Sequence, residues 1–160
     1  MKIRMNELVE QMAARVRKAS SVDATATELT AMANDRAEDV RCAVASNRNT
    51  PTDVLAQLSC DRAYRVRRQV AMNPFIQLGA MEVLTRDSNV AVRFALAQNP
   101  VTSPDLLRLL ALDESAALTQ AIATRADIDS VIRNWAQEDG YLNELPDSII
   151  RSVYMNLELV

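Results

Sequence analysis

The sequence predicts an all-α protein made by stacking short helical pairs, and three observations lead there. The stretch from Asp61 to Asn73 recurs without gaps 26 residues earlier, as Asp35 to Asn47, and 26 residues later, as Asp87 to Asn99. Apolar residues within each copy fall at helical rather than alternating spacing. Neither helix so defined could bury its stripe alone, so successive copies must pack on one another. The expected architecture is an α-solenoid of about four 26-residue two-helix repeats with helical caps, one domain over residues 1–160.

The N-terminal cap is expected over 1–24. From Asn6 to Lys18, Leu8, Val9, Met12, Ala13 and Val16 share a helical face, Asn6 fits an N-cap, and Arg15, Arg17 and Lys18 suit the C-terminal end of the dipole. Arg15 also stands one period before Arg41, so this helix reads as a worn copy.

The repeats are expected over 25–126. The first helix of each pair carries Leu29, Leu55, Met81 and Leu107, and three residues on Met32, Leu58, Leu84 and Leu110. Thr50-Pro51-Thr52-Asp53 and Ser103-Pro104-Asp105 each offer a hydroxyl cap, then a proline at the first helical position. The second helix carries Val40, Val66, Val92 and Leu118, and four residues on Val44, Val70, Leu96 and Ile122. Asn47, Asn73 and Asn99 are expected to close it in the left-handed conformation that helix ends use. The fourth copy, from Asp113, has Thr119 in place of the arginine and Arg125 in place of the asparagine.

Residues 127–160 are expected to cap the other end. Asp127 to Gln137 places Ile128, Val131, Ile132 and Trp135 on one side, Glu138-Asp139-Gly140 is a break, and a last helix from Leu145 continues through Val153, Tyr154 and Leu157.

Composition narrows the chemistry. With no histidine, a Ser-His-Asp triad and any His-ligated metal site are excluded. Two glycines, Gly79 and Gly140, cannot form a dinucleotide fingerprint or a phosphate-binding loop. Two cysteines, Cys42 and Cys60, cannot hold an iron–sulfur cluster by themselves. The expectation is a non-enzyme with no cofactor and no metal. No apolar run approaches the roughly 20 residues that span a bilayer, and the opening residues lack a signal-peptide pattern. Two thiols without a secretory signal suit a reducing cytoplasm.

Asp-x4-Val-Arg, at Asp35/Val40/Arg41, Asp61/Val66/Arg67 and Asp87/Val92/Arg93, resembles the second-helix signature of HEAT repeats. Asn99-Pro100 followed by Pro104-Asp105-Leu106-Leu107 is closer still to the leucine-rich repeat variant family. That resemblance implies a right-handed superhelix of alternating α- and 3₁₀-like helices over roughly Glu28 to Ala126. The N-terminal cysteine group on which one member of the family carries an iron–sulfur cluster is absent, so no cofactor is carried over. Trp135 beside nearby acids resembles HEAT-like DNA glycosylases in residue types only, and a core tryptophan is the default reading.

The repeated arginines, Arg41, Arg67 and Arg93, read as a structural ladder, each pairing with an aspartate of its own or the next copy. Functional residues are sought where the copies differ. In HEAT-like solenoids the second helix lines the concave surface, so the resemblance places Tyr64, Arg65, Arg68, Val90 and Phe94 there. Aromatic and arginine side chains side by side favour a protein partner. Nucleic acid is the alternative, through Arg62, Arg65, Arg67 and Arg68. From Asp61 to Pro100 there are six arginines against three acids, but a net charge of −3 lacks the sustained basic surface that phosphate backbones need.

Overall fold

The computed structural model describes residues 2–113 and 115–125. The helices expected from Asp127 and Leu145, and Trp135 with them, lie outside the described residues. Within that span every element is helical: α1 (Lys2–Ala19), α2 (Ala26–Met32), α3 (Glu38–Ser46), α4 (Thr52–Leu58), α5 (Tyr64–Met72), α6 (Leu78–Thr85), α7 (Val90–Gln98), α8 (Pro104–Ala111) and α9 (Ala116–Ala123).

The apolar stripes decide the packing. Val40, Val66, Val92 and Leu118 are fully buried, as are Val44, Val70, Leu96 and Ile122. Leu29, Leu55 and Leu107 are fully buried and Met81 nearly so. Residues 26 apart therefore occupy like environments. The odd-numbered helices form a row, α3 against α1 and α5, α7 against α5 and α9, while α4, α6 and α8 pack in a second row. Each buried Leu or Val contributes roughly 1.5–3 kcal/mol relative to exposure. The core is thus a continuous seam between the rows.

Two polar ladders tie the odd-numbered row together. In the first, Arg41 donates from Nε and Nη2 to both oxygens of Asp61, at 2.7 and 3.0 Å. Arg67 does the same to Asp87, at 2.5 and 2.9 Å, and Arg93 Nε reaches Asp113 at 2.8 Å. Arg15 makes the corresponding pair with Asp35 at 2.8 Å. The arginine always reaches forward, so Asp113 has its partner in Arg93. Each aspartate also accepts from a backbone N–H two residues on, at 2.8 Å for Ala37, Ala63 and Asn89 and 3.0 Å for Ser115.

The second ladder is made by asparagines. Asn73 Nδ2 donates to the carbonyls of Ala45 and Asn47, at 2.9 and 3.0 Å, and its Oδ1 accepts from Phe75 N–H. Asn47 and Asn99 repeat the arrangement. Their backbones are extended, with φ near −72° and ψ of 123–133°, not left-handed. The expected conformation is thereby corrected. Asparagine stands here because its amide reaches two carbonyls while its oxygen holds the following turn.

Helix starts differ from expectation in two places. Ser103 caps α8, accepting from Leu106 N–H, with Pro104 opening the helix. Thr50 does not cap α4. Pro51 holds the cap position and the Thr50 hydroxyl donates instead to the Val44 carbonyl at 2.6 Å. α1 begins at Lys2 rather than after Asn6, since nothing in Lys2-Ile3-Arg4-Met5 breaks a helix. Thr25 and Glu28 form a reciprocal capping box on α2.

Candidate interaction surface

The face of interest is set by the first two turns of α5 and α7. Tyr64 and Val90 open these helices at equivalent positions, and Arg68 and Phe94 stand four residues on, one turn along the same sides. Because α5 packs directly on α7, the four lie on neighbouring stretches of one surface. Tyr64 and Val90 are both more than two-fifths exposed. Arg68 is half-buried, and Phe94 is half-buried against the core. Phe94 therefore serves both the seam and the surface.

Arg65 is placed differently. Its Nη1 lies 3.3 Å from Glu38 Oε1 and 3.3 Å from Asp39 Oδ1 on α3. All three side chains are well exposed, so water screens the cluster and it contributes little to stability. It does neutralise Arg65. Arg67 belongs to the ladder with Asp87, which leaves Arg62 and Arg68 as the members of the central arginine group with no ion pair among the described residues. The positive surface that a nucleic acid would need is thus much smaller than the sequence count suggests.

On the α1 side the face continues into a shallow groove lined by Met12, Val16, Asp39, Cys42, Ser46 and Gln69. Burial pushes the Cys42 thiol up. Neither Cys42 nor Cys60 is in a disulfide. Among the described residues no cluster of Cys, Asp or Glu could hold a metal ion, and no helix is long and apolar enough to cross a membrane.

Sequence reasoning missed a contact on the loops that follow the odd-numbered helices. Arg48 lies over the Phe75 ring, 5.6 Å from its centroid, with Val22 and Val101 exposed on the same set of loops. Positions 49, 75 and 101 are one period apart but hold Asn, Phe and Val, and that lack of agreement hid them.

Comparison with models of known families, with curated proteins and with solved structures finds no match.

Proposed function

We propose that this chain is a non-catalytic protein-interaction module, a scaffold, adaptor or inhibitor, working as a right-handed α-solenoid of about four two-helix repeats. The leucine-rich repeat variant and HEAT-like families are the architectures it resembles. Three observations support this reading: hydrogen bonds recurring at 26-residue spacing, like burial of equivalent residues, and closer packing within the odd-numbered row than the even-numbered one. Rows packed unequally bend a stack towards the tighter row, which would put α5 and α7 on the concave side.

The observation that carries the function is the combination on that side of exposed Tyr64 and Val90 with Arg68, a cation without an ion pair among the described residues. Aromatic and arginine anchors of this kind dominate protein interfaces. Arg65 and Phe94 flank them. A cytoplasmic setting suits the two unlinked thiols. Nucleic acid is the less favoured partner, because Arg65 and Arg67 are already matched by acids.

The test is capture from native cell extract by the immobilised protein and by a Tyr64→Ala/Arg68→Ala variant, which spares the partly structural Phe94. Specific capture lost in the variant, with an unchanged far-UV circular dichroism spectrum, is the expected result. Retention of the same captured proteins by a folded variant removes the proposal.

A further inference from the structure

We propose a second recognition surface, separate from the α5–α7 face: a basic edge that takes an extended acidic polypeptide. It lies on the loops leading into the odd-numbered helices, residues 34–37, 60–63 and 86–89. These loops carry the aspartates of the ladder, and the ladder is neutral in itself, because Asp35, Asp61 and Asp87 are matched by Arg15, Arg41 and Arg67. Three further arginines are added to this neutral base. Arg36, Arg62 and Arg86 are all exposed, and none makes a side-chain hydrogen bond or ion pair among the described residues.

Two of them face one concavity. Arg36 and Arg62, 26 residues apart, line a polar groove with Asn34, Gln57 and Cys60, over the buried Arg41–Asp61 pair. Asn34 and Gln57 are joined by a 2.8 Å hydrogen bond across the groove wall. The nearby acids Glu38 and Asp39 are occupied by Arg65. Asp35 and Asp61 also line this groove, but each is matched by a ladder arginine, so the edge keeps a net positive charge, which Arg86 extends into the next loop.

Spacing identifies the occupant. Packed helices are roughly 8–10 Å apart, so the loops present about one cation per 10 Å. An extended peptide in the polyproline II conformation rises about 3.1 Å per residue with three residues per turn, which brings every third side chain onto one face and opposite the next arginine. Three cations are too few for tight binding to a phosphate backbone, where roughly 6–10 contacts give the familiar strong salt dependence. An acidic peptide with carboxylates at every third position is the better match.

The experiment is a titration of the ¹⁵N-labelled full chain with a synthetic peptide carrying Glu at every third position and Gly or Ser elsewhere, followed by backbone amide shifts. Parallel arms use a peptide of the same composition with its Glu residues clustered, a short single-stranded DNA, and the Arg36→Glu/Arg62→Glu variant. Alkylation of Cys60, exposed at the rim of the groove, is measured with and without peptide. Amide shifts confined to the three loops, slower alkylation of Cys60, weaker binding of the clustered peptide, and affinity lower by about tenfold or more in the double variant are expected. The Tyr64→Ala/Arg68→Ala variant should bind the peptide unchanged, which separates this surface from the α5–α7 face. Shifts elsewhere or none at millimolar peptide, undiminished binding by the charge-reversed variant, equal binding of the clustered peptide, or tighter binding of DNA at this edge would overturn the proposal.

Discussion

The guanidinium of Arg125 donates to the backbone carbonyl of Asn99 at 2.8 Å and to that of Ala97 at 2.6 Å. One period earlier, Asn99 makes the same two contacts to Asn73 and Ala71. At the first position Ser21 keeps only the turn contact, its hydroxyl oxygen accepting from Asp23 N–H as an asparagine oxygen would. The apparent loss of the asparagine at Arg125 is thus a replacement that keeps its two donated hydrogen bonds, though not its acceptor. Replacing Asn73 by alanine should remove the Asn73 amide from the Ala45 carbonyl and the acceptor from the Phe75 N–H, and leave the Asn47 carbonyl with the Thr50 N–H alone. The expected cost is about 3 kcal/mol, read from urea denaturation. Arg125→Asn should cost less than Arg125→Ala, since it can restore both contacts. A neutral Asn73→Ala would show that the ladder merely accompanies the packing.

The ion pairs should rank by burial. The Arg41 and Asp61 side chains are 6% and 9% accessible, whereas Arg65 is 58% accessible. Removing one member of a buried pair strands the other, so Arg41→Met should cost roughly 3–5 kcal/mol. Arg65→Ala should shift the denaturation midpoint far less, because water already screens its partners. Equal shifts of the denaturation midpoint for the two variants would contradict this ordering.

Much of this framework was legible in the sequence, because the residues that build it are the ones that recur. Val40, Val66 and Val92 and the Asp–Arg pairs gave their burial and partnership away by spacing alone. What the spacing could not give was direction and conformation. Whether Arg41 turns to Asp35 or Asp61 depends on how adjacent helices face each other. It does both, taking the Asp61 carboxylate and, through Nη1, the Asp35 carbonyl at 2.8 Å. The asparagines looked like helix stops because composition at a helix end is ambiguous between a left-handed closure and a cross-chain amide. The proposed surface was the least legible part. Tyr64, Arg68, Val90 and Phe94 differ between copies, so no periodicity fixed their exposure, and the neutralisation of Arg65 by Glu38 and Asp39 became visible only in three dimensions.

Acid should unfold the protein in a narrow range. Burial pushes the Asp61 and Asp87 carboxyls up, but hydrogen bonds from Arg41 and Arg67, and from the Ala63 and Asn89 amides, outweigh it and leave both below the usual carboxylate range. Glu28 is held down to about 2, first by the Thr25 backbone N–H and then by Lys18. A depressed folded-state pKa contributes stability that is complete above the unfolded value, about 3.9 for Asp, and is lost as pH falls through the folded value. Thermal midpoints should therefore hold steady from neutrality down to about pH 5 and drop steeply below about pH 4. In Asp61→Asn the drop should be shallower, starting from a lower plateau. A midpoint that declines evenly from pH 7 would point to other groups.

The two thiols should react at different rates. Only the thiolate attacks, so a thiol whose pKa is raised is slow at neutral pH. Cys42 is half-buried beneath the α1–α3 groove and burial pushes its thiol up. Cys60 is exposed at the rim of a groove that also holds Arg36 and Arg62, where positive charge attracts an anionic reagent. With a dianionic aromatic disulfide at pH 7.5, the native protein should therefore release one equivalent of thiolate quickly, from Cys60, and a second slowly. Cys60→Ser should abolish the fast phase and Cys42→Ser the slow one, while added salt should slow the fast phase by screening the arginines. If both variants lost the same phase, or if salt had no effect on Cys60, the electrostatic difference between the two sites would be wrong.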